Sequence, residues 1–319
     1  MTAVANLPGE PAGIEIPDIG DDATIADLVR AGLLANVALL VEHEPIAIRD
    51  EDPEGVHQAR VGIRRTRSNL RTFRDLLDPA WKAPLDAELK RQAALLGHVR
   101  DADVLGMRLR KAIADLPTGD QLAAHALLDR LARQRVVAFA ALHAELTAPA
   151  HADFIVRLAA MVDQPVFVAA VDSGAASLVD RPAAEHVGSL AAKPWRKLKK
   201  AVRRLPPPGE VTHEELHEVR IKAKRARYAC DAVRPVVGKP AKKLASRLGD
   251  LQDVLGDLHD TSVAEDWLRA AAADVRVARS AAVAAGLLVA RERADGAALE
   301  ARWPDAWAGV RATDRDWLR

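Results

Sequence analysis

The sequence predicts an all-α protein built from two similar halves. Aromatic residues make up only 3% of its 319 residues, and long alanine-rich stretches without proline favour helix over sheet. Apolar residues recur at helix spacing along most of the chain, whereas strand-like alternation never lasts more than a few residues. These patterns exclude a large β-sandwich or barrel. A motif that recurs after about 160 residues indicates the two halves.

The first half is expected to contain four long helices and one short helix. Residues 1–20 contain three prolines and three glycines, which favour a flexible leader. Asp52 followed by Pro53 is a strong start signal, because Asp caps free backbone N–H groups and Pro is tolerated in the first helical position. The predicted helices cover residues 24–43, 53–77, 81–116, 120–146 and 151–162. The first bundle is therefore predicted over residues 21–163.

The second half is expected to repeat this organisation. Residues 164–181 contain Pro165 and Gly174, are followed by Pro182, and are predicted to be a linker. The following predicted helices cover residues 182–205, 212–233, 240–273 and 274–295, and the first two are separated by the breaker Pro206-Pro207-Pro208-Gly209. The second bundle is therefore predicted over residues 182–295. Residues 296–319, which carry Trp303 and Trp307, are expected to pack on the bundle.

Two separated sequence matches support a duplication. Residues 56–67 align without a gap with residues 216–227, and residues 96–101 align with residues 255–260 at nearly the same offset. Two matches at one spacing are more typical of a duplicated unit of about four helices than of a chance resemblance between charged runs.

Positive charge is concentrated in a few of the predicted helices. The formal net charge is only +1, yet residues 57–74 contain six arginines and no acid, and residues 193–204 contain seven basic residues and no acid. At about 100° per residue, the basic residues form one stripe on each repeated helix. These stripes comprise His57, Arg60, Arg64, Arg67 and Arg71 in the first half, and His217, Arg220, Lys224 and Arg227 in the second. Such self-repulsion predicts a polyanionic ligand, because Arg and Lys bind phosphate oxygens.

The alternative is that these cations are ordinary surface residues or form internal salt bridges. Asp101, Asp103, Asp250 and Asp253 are the candidate partners for such salt bridges. In that interpretation, Asp101 and Asp103 are counter-charges that orient Arg100.

The motifs also resemble those of the CHAD family, the conserved histidine α-helical domain. They are H-x-x-R-V-x-x-R-R-x-R from His57, L-G-x-x-R-D-x-D-V from Leu96, and H-x-x-R-I-K-x-K-R-x-R from His217. The resemblance implies two four-helix bundles related by a pseudo-twofold axis around a basic central cavity. It also implies inorganic polyphosphate as ligand and association with polyphosphate granules. The implied path is lined by His57, Arg60, Arg64, Arg65, Arg67, His217, Arg220, Lys222, Lys224, Arg225 and Arg227, to which the charge pattern adds Arg71, Lys197 and Lys200.

This sequence departs from the repeated pattern in two places. The second copy of the L-G-x-x-R-D motif has His259 where the first has Arg100, which puts a ligand contact of Arg100 in doubt. The basic run at residues 193–204 corresponds to an apolar and acidic segment at residues 33–44. If both halves bind, the second is therefore expected to contribute more charge.

The predicted activity is binding without catalysis, with no cofactor and no metal. The H-E-x-x-H pattern from His213 to His217 resembles a zinc-protease motif, but the cations that follow it disfavour a divalent metal. Nucleic-acid binding and a metal-dependent phosphohydrolase using Asp101 and Asp103 are kept as alternatives. The oligomeric state is left open.

The expected location is the cytoplasm. Cys230 is the single cysteine, so a disulfide framework is excluded, and no basic residue precedes Arg30 as a secretory signal would require. The longest apolar stretches, residues 31–41 and 281–290, are far shorter than the roughly 20 residues that span a bilayer.

Overall fold

The computed structural model describes residues 14–168, 178–207, 210–274, 277–313 and 315–318. Over these residues the chain forms α-helices, two short 3-10 turns (Leu178–Asp180 and Asp316–Leu318) and two isolated β-bridges, and no strand. The all-α class is confirmed. The helices are α1 (Ile25–Arg49), α2 (Pro53–Thr72), α3 (Pro79–Ala114), α4 (Thr118–Leu146), α5 (Pro149–Asp163), α6 (Ala183–Val202), α7 (His213–Val237), α8 (Lys239–Ala272), α9 (Arg279–Glu300) and α10 (Trp303–Arg311).

Parts of the predicted leader, linker, breaker and C-terminal segment lie outside the described residues. These parts are residues 1–13, 169–177, 208–209, 314 and 319. Residues 14–20 of the leader contain no helix, and Ile14 packs against the core. The domain boundaries stay predictions.

Local sequence signals explain where the helices begin. Asp52 caps α2 by accepting from the Glu54 N–H, with Pro53 in the first turn. Thr24 and Thr212 form capping boxes at the starts of α1 and α7. The predicted end of α1 near His43 is too early, because the helix continues to Arg49. Its last turns pack so closely on α2 that a Cβ on Gly55 would lie 2.7 Å from the Ala47 nitrogen.

Each half packs its helices in chain order. Helix α1 contacts α2, α2 contacts α3 and α3 contacts α4; helices α6 to α9 follow the same succession. Between the halves, α2 contacts α7 and α4 contacts α9. The starts of α1 and α6 also pair, because the Ile25 N–H donates to the Arg181 carbonyl at 3.1 Å and the Ala183 N–H donates to the Ala23 carbonyl at 2.8 Å. These contacts between matching elements are what a twofold relation requires, and the duplication itself stays a prediction.

The two halves share their apolar cores. The larger core joins α1, α2 and α5 to α6, α7 and the first half of α8. A smaller core joins the C-terminal part of α3 and the N-terminal part of α4 to the C-terminal part of α8 and the N-terminal part of α9. Two further helices lie outside the four-helix pattern, α5 against α1 and α10 against α8. Because both cores cross between the halves, the relative position of α2 and α7 is fixed by packing.

No helix in the described part of the chain is both long enough and apolar enough to cross a membrane.

Candidate functional site

Helices α2 and α7 each bury an apolar face, and the basic stripe beside it is partly exposed on α2 and half-buried on α7. In α2, Val56, Ala59 and Ile63 are buried in the core, and Arg64 and Arg71 are exposed. In α7 the buried face includes Leu216, Val219, Ala223, Ala226 and Cys230. This is the arrangement that the helical projection predicts, since the apolar arc adjoins the basic stripe on each helix.

The basic residues of three helices line one continuous depression, here called the basic groove. A pocket of about 260 Å³ between α2 and α7 adjoins a second pocket, with which it shares Arg71 and Arg225. A further pocket beside α6 shares Lys197 and Lys222 with the second pocket. The groove cations are Arg60, Arg64, Arg67, Arg71 and Arg74 from or just after α2, Lys222, Lys224 and Arg225 from α7, and Lys193, Lys197, Lys200 and Arg204 from or just after α6.

Many of the groove cations have no counter-charge. Within the described residues, no carboxylate oxygen lies within 4 Å of seven of them. These seven are Arg64, Arg71, Lys197, Lys200, Arg204, Lys224 and Arg225. Five groove cations are paired, with Arg60 at 3.2 Å from Asp101, Arg67 at 2.9 Å from Asp86, Arg74 at 3.2 Å from Asp75, Lys193 at 2.9 Å from Asp75 and Lys222 at 3.1 Å from Glu218. The groove therefore carries a net positive charge that the protein does not neutralise.

Burial and the crowding of like charges lower the pKa of two groove residues. Burial, followed by the charges of Arg225 and Arg67, lowers the pKa of Arg71. Burial, followed by the charges of Arg220 and Arg64, lowers the pKa of Lys224 to about 8. A bound anion would oppose both effects, because it stabilises the charged forms.

Several buried nitrogen atoms in or near the groove have no hydrogen-bond partner among the described residues. They include the Nε donors of Arg220 and Arg225, and Nδ1 of His217, which donates or accepts according to the tautomer. A buried donor without a partner is costly, and an anion with several acceptor oxygens would satisfy it.

Two of the predicted path residues belong to a different cluster. Arg227 lies 3.9 Å from Asp231, and the charges of Arg65 and Arg234 also act on that carboxyl group. Burial raises the pKa of Asp231, while the three arginines oppose that effect. Arg65 and Arg227 line none of the pockets that form the basic groove, and neither do three other predicted path residues, His57, His217 and Arg220.

The two motif histidines have matching neighbours. His57 lies near Arg100, and burial followed by the Arg100 charge lowers the pKa of His57. His217 faces His259 with 4.6 Å between the ring centroids. Burial, followed by the Arg220 charge, lowers the pKa of His259 to about 4. Arg100 and His259 occupy equivalent positions in the two copies of the motif. Each of them therefore lies beside a motif histidine.

The acidic motif residues pair with arginines other than Arg100. Asp101 pairs with Arg60, as the salt-bridge alternative predicted, and Asp103 pairs with Arg135 at 2.6 Å. Arg135 also pairs with Asp50 at 2.6 Å. Each of the two carboxylates therefore already has a cationic partner. A magnesium site instead favours carboxylates that are free to bind the metal.

Sequence reasoning missed the role of Gly97. A Cβ on Gly97 would lie 2.6 Å from Nη1 of Arg60, so this glycine provides space for the arginine of the first histidine motif. Its counterpart Gly256 also lies beside an arginine, but a Cβ there would be at an ordinary contact distance of 3.8 Å from Nε of Arg220.

Sequence reasoning also gave no role to Tyr228. The Arg64 guanidinium lies 5.6 Å from the centre of the Tyr228 ring, and both residues line the pocket between α2 and α7. This contact orients an arginine that has no carboxylate partner.

The H-E-x-x-H histidines do not form a metal centre in the described residues. Nδ1 of His213 lies 2.9 Å from the Ser262 hydroxyl, and His217 faces His259. No group of three or more His, Cys, Asp or Glu side chains in the described ranges could hold a metal ion.

Comparison with protein families and solved structures gives consistent matches. The family model described as the CHAD domain matches residues 31–269. A crystal structure of the CHAD domain from the plant Ricinus communis superimposes with a TM-score of 0.72 at 25% identity, covering 96% of this chain and 98% of that one. PptA from Streptomyces chartreusis superimposes with a TM-score of 0.71 at 23% identity, covering 90% of this chain and all of that one.

Curated relatives match over a shorter stretch. Uncharacterized proteins from two strains of Mycobacterium tuberculosis are each 28% identical over 225 residues, which covers 65% of this chain. The match covers 40% of the length of these relatives.

Proposed function

Because this chain belongs to the CHAD domain family, we propose that it binds inorganic polyphosphate in the basic groove, without catalysing a reaction. The observation that carries this proposal is the run of groove cations without a carboxylate partner along α2, α7 and α6. A chain of linked phosphates presents a negative charge at every unit, so one ligand can neutralise successive cations. The proposed location is the cytoplasm, at polyphosphate granules.

Binding is expected to be electrostatic. Arginine forks bind phosphate oxygens through two parallel hydrogen bonds, and lysines contribute mobile point charges. Each neutralised phosphate releases condensed counterions, which favours association at low salt. The buried Nε donors of Arg220 and Arg225 support the same proposal, because the described part of the chain offers them no hydrogen-bond partner.

Polyphosphate suits the groove better than a nucleic acid. Among the residues that the structure describes, Tyr228 is the only Phe, Trp or Tyr that lines the groove pockets, and its ring is already in contact with Arg64. Single-stranded nucleic-acid sites instead stack successive bases on several aromatic side chains.

A competition experiment tests the proposed function. Long-chain polyphosphate should displace a labelled single-stranded oligonucleotide at a phosphate concentration about tenfold or more below that needed for the reverse displacement. The measurement is fluorescence anisotropy of the labelled strand with the full chain. Stronger displacement by the oligonucleotide would overturn the proposal.

The absence of catalysis is tested separately. Orthophosphate should not accumulate when the protein is incubated with polyphosphate and Mg²⁺. Release of orthophosphate that Asp101→Asn abolishes would establish a hydrolase instead.

Lys224 should make binding depend on pH. Its pKa of about 8 in the free protein is set by burial and by Arg220, Arg64 and Arg60, with Asp260 opposing them. Bound phosphates stabilise the protonated amine and raise this pKa, so binding takes up a proton near that pH. Affinity should therefore fall as pH rises through about 8.

Calorimetry in two buffers of different ionisation enthalpy measures this proton uptake. The Lys224→Arg variant keeps the charge but does not titrate in this range, so its uptake should disappear. Equal proton uptake by the wild type and this variant would show that another group is responsible.

A further inference from the structure

We infer that the polyphosphate site extends along α6, so that full affinity requires a phosphate chain long enough to contact α2, α7 and α6 together. This inference rests on the proposed function and adds a selection for long chains over short ones.

Four of the seven basic residues at 193–204 form one stripe along α6. Lys193, Lys197, Lys200 and Arg204 follow one another at helical spacings of four, three and four residues, which places them on one side of the helix. The opposite side is buried through Val187, Ala191 and Leu198. The stripe is about 16 Å long at the helical rise, as long as the α2 stripe from Arg60 to Arg71.

The α6 stripe continues the groove rather than forming a separate surface. Lys197 lines both the pocket shared with Arg71 and Arg225 and the pocket that contains Lys200 and Arg204. Lys222 lines the same two pockets and therefore marks the junction.

The carboxylates beside the α6 stripe already have partners. Glu215 accepts from the Thr212 N–H in a capping box, and Glu218 pairs with Lys222. Lys197, Lys200 and Arg204 have no carboxylate oxygen within 4 Å in the part of the chain that the structure describes. They are therefore available to a ligand.

The far side of α6 is anchored by the C-terminal segment. Trp195 stacks on Trp307 of α10 with 5.8 Å between ring centroids, and the Arg315 guanidinium lies 5.1 Å from the centre of the Trp195 ring. The turn Asp316–Leu318 also packs on α6. This support holds the stripe in place before binding, which reduces the entropy lost with the ligand.

The first half has no equivalent of this stripe. Residues 33–44 of α1 contain no lysine or arginine and include Glu42 and Glu44. The extension therefore lies in the second half only, and the two ends of the proposed site differ in their residues. Tripolyphosphate, with three phosphates, is too short to follow the stripes of both α2 and α6.

The test compares two ligands, tripolyphosphate and long-chain polyphosphate, by calorimetry. The α6 variant carries Lys197→Gln, Lys200→Gln and Arg204→Gln. Its affinity for long chains should fall by about tenfold or more, whereas its affinity for tripolyphosphate should change by less than about threefold. A control with Lys239→Gln, Lys242→Gln and Lys243→Gln removes the same charge from exposed residues at the start of α8 that do not line the groove.

The possible outcomes separate this inference from the proposed function. If the wild type binds long chains and the α6 variant binds them equally well, the extension along α6 is wrong and the proposed function stands. Equal losses for both ligands, or equal losses in the variant and the control, would also overturn the extension. If the wild type binds no polyphosphate of either length, the proposed function itself fails.

Discussion

The groove variant is expected to bind long-chain polyphosphate at least about 100-fold more weakly than the wild type. It carries Arg64→Gln, Arg71→Gln, Lys224→Gln and Arg225→Gln. These residues line the joined pockets between α2 and α7 and have no carboxylate partner. Even if each cation contributes only about 0.7 kcal/mol, as exposed ion pairs do, their combined loss corresponds to about a factor of 100.

A matched control separates this local effect from the overall charge. The control carries Lys111→Gln, Lys239→Gln, Lys242→Gln and Lys243→Gln, all at exposed positions. Both variants change the formal net charge from +1 to −3. The control should bind within about threefold of the wild type, because salt screens the effect of charges that lie far from the groove.

The groove variant is also expected to stay folded. Removing like charges should not lower the stability of the ligand-free protein, since burial and neighbouring cations already disfavour the charged forms of Arg71 and Lys224 and lower the pKa of each. A thermal melt without ligand should therefore show no loss of stability. Equal binding by the folded groove variant and the wild type would place the polyphosphate site elsewhere.

Salt should weaken binding steeply. If the seven groove cations without a carboxylate partner each contact a phosphate, the slope of log affinity against log salt is about −5, using the value for single-stranded polyanions. Affinity should then fall by about 1,000-fold between about 50 mM and about 200 mM salt. Titrations at several salt concentrations with the full chain measure this slope.

The α6 variant gives an internal check on the slope. It removes three of the seven contacts, so its slope should be about −3. A wild-type slope shallower than about −2 would contradict electrostatic binding along the groove. An unchanged slope in the α6 variant would leave its three residues outside the binding site.

Local sequence signals predicted most of the helices. The Asp52-Pro53 start and the Thr24 and Thr212 caps lie where the structure begins its helices, because capping depends on a few neighbouring residues. The end of α1 was placed too early. Its last turns are stabilised by contact with Gly55 of α2, and such a contact between helices leaves no periodic signal in α1.

The candidate site was only partly predictable. The sequence placed Arg64 and Arg71 on one stripe and Lys224 on another, because side-chain direction around a helix follows from spacing. It could not place Arg65 beside Asp231, since that contact depends on how α2 crosses α7, whereas Arg227 and Asp231 are four residues apart on α7. The Asp101–Arg60 pair agrees with the salt-bridge alternative, but the Arg135 partner of Asp103 was not predicted, because it lies on another helix.

By itself, the sequence determined the all-α class, the faces of α2 and α7 that are buried, and the concentration of positive charge in three helices. Only the tertiary structure decided that the α6 stripe continues the groove between α2 and α7, and which cations lack a carboxylate. Helical periodicity sets the angle of a side chain around its own axis and carries no information on the helix that lies opposite. That choice is made by packing between residues far apart in the chain, through the apolar cores that the two halves share.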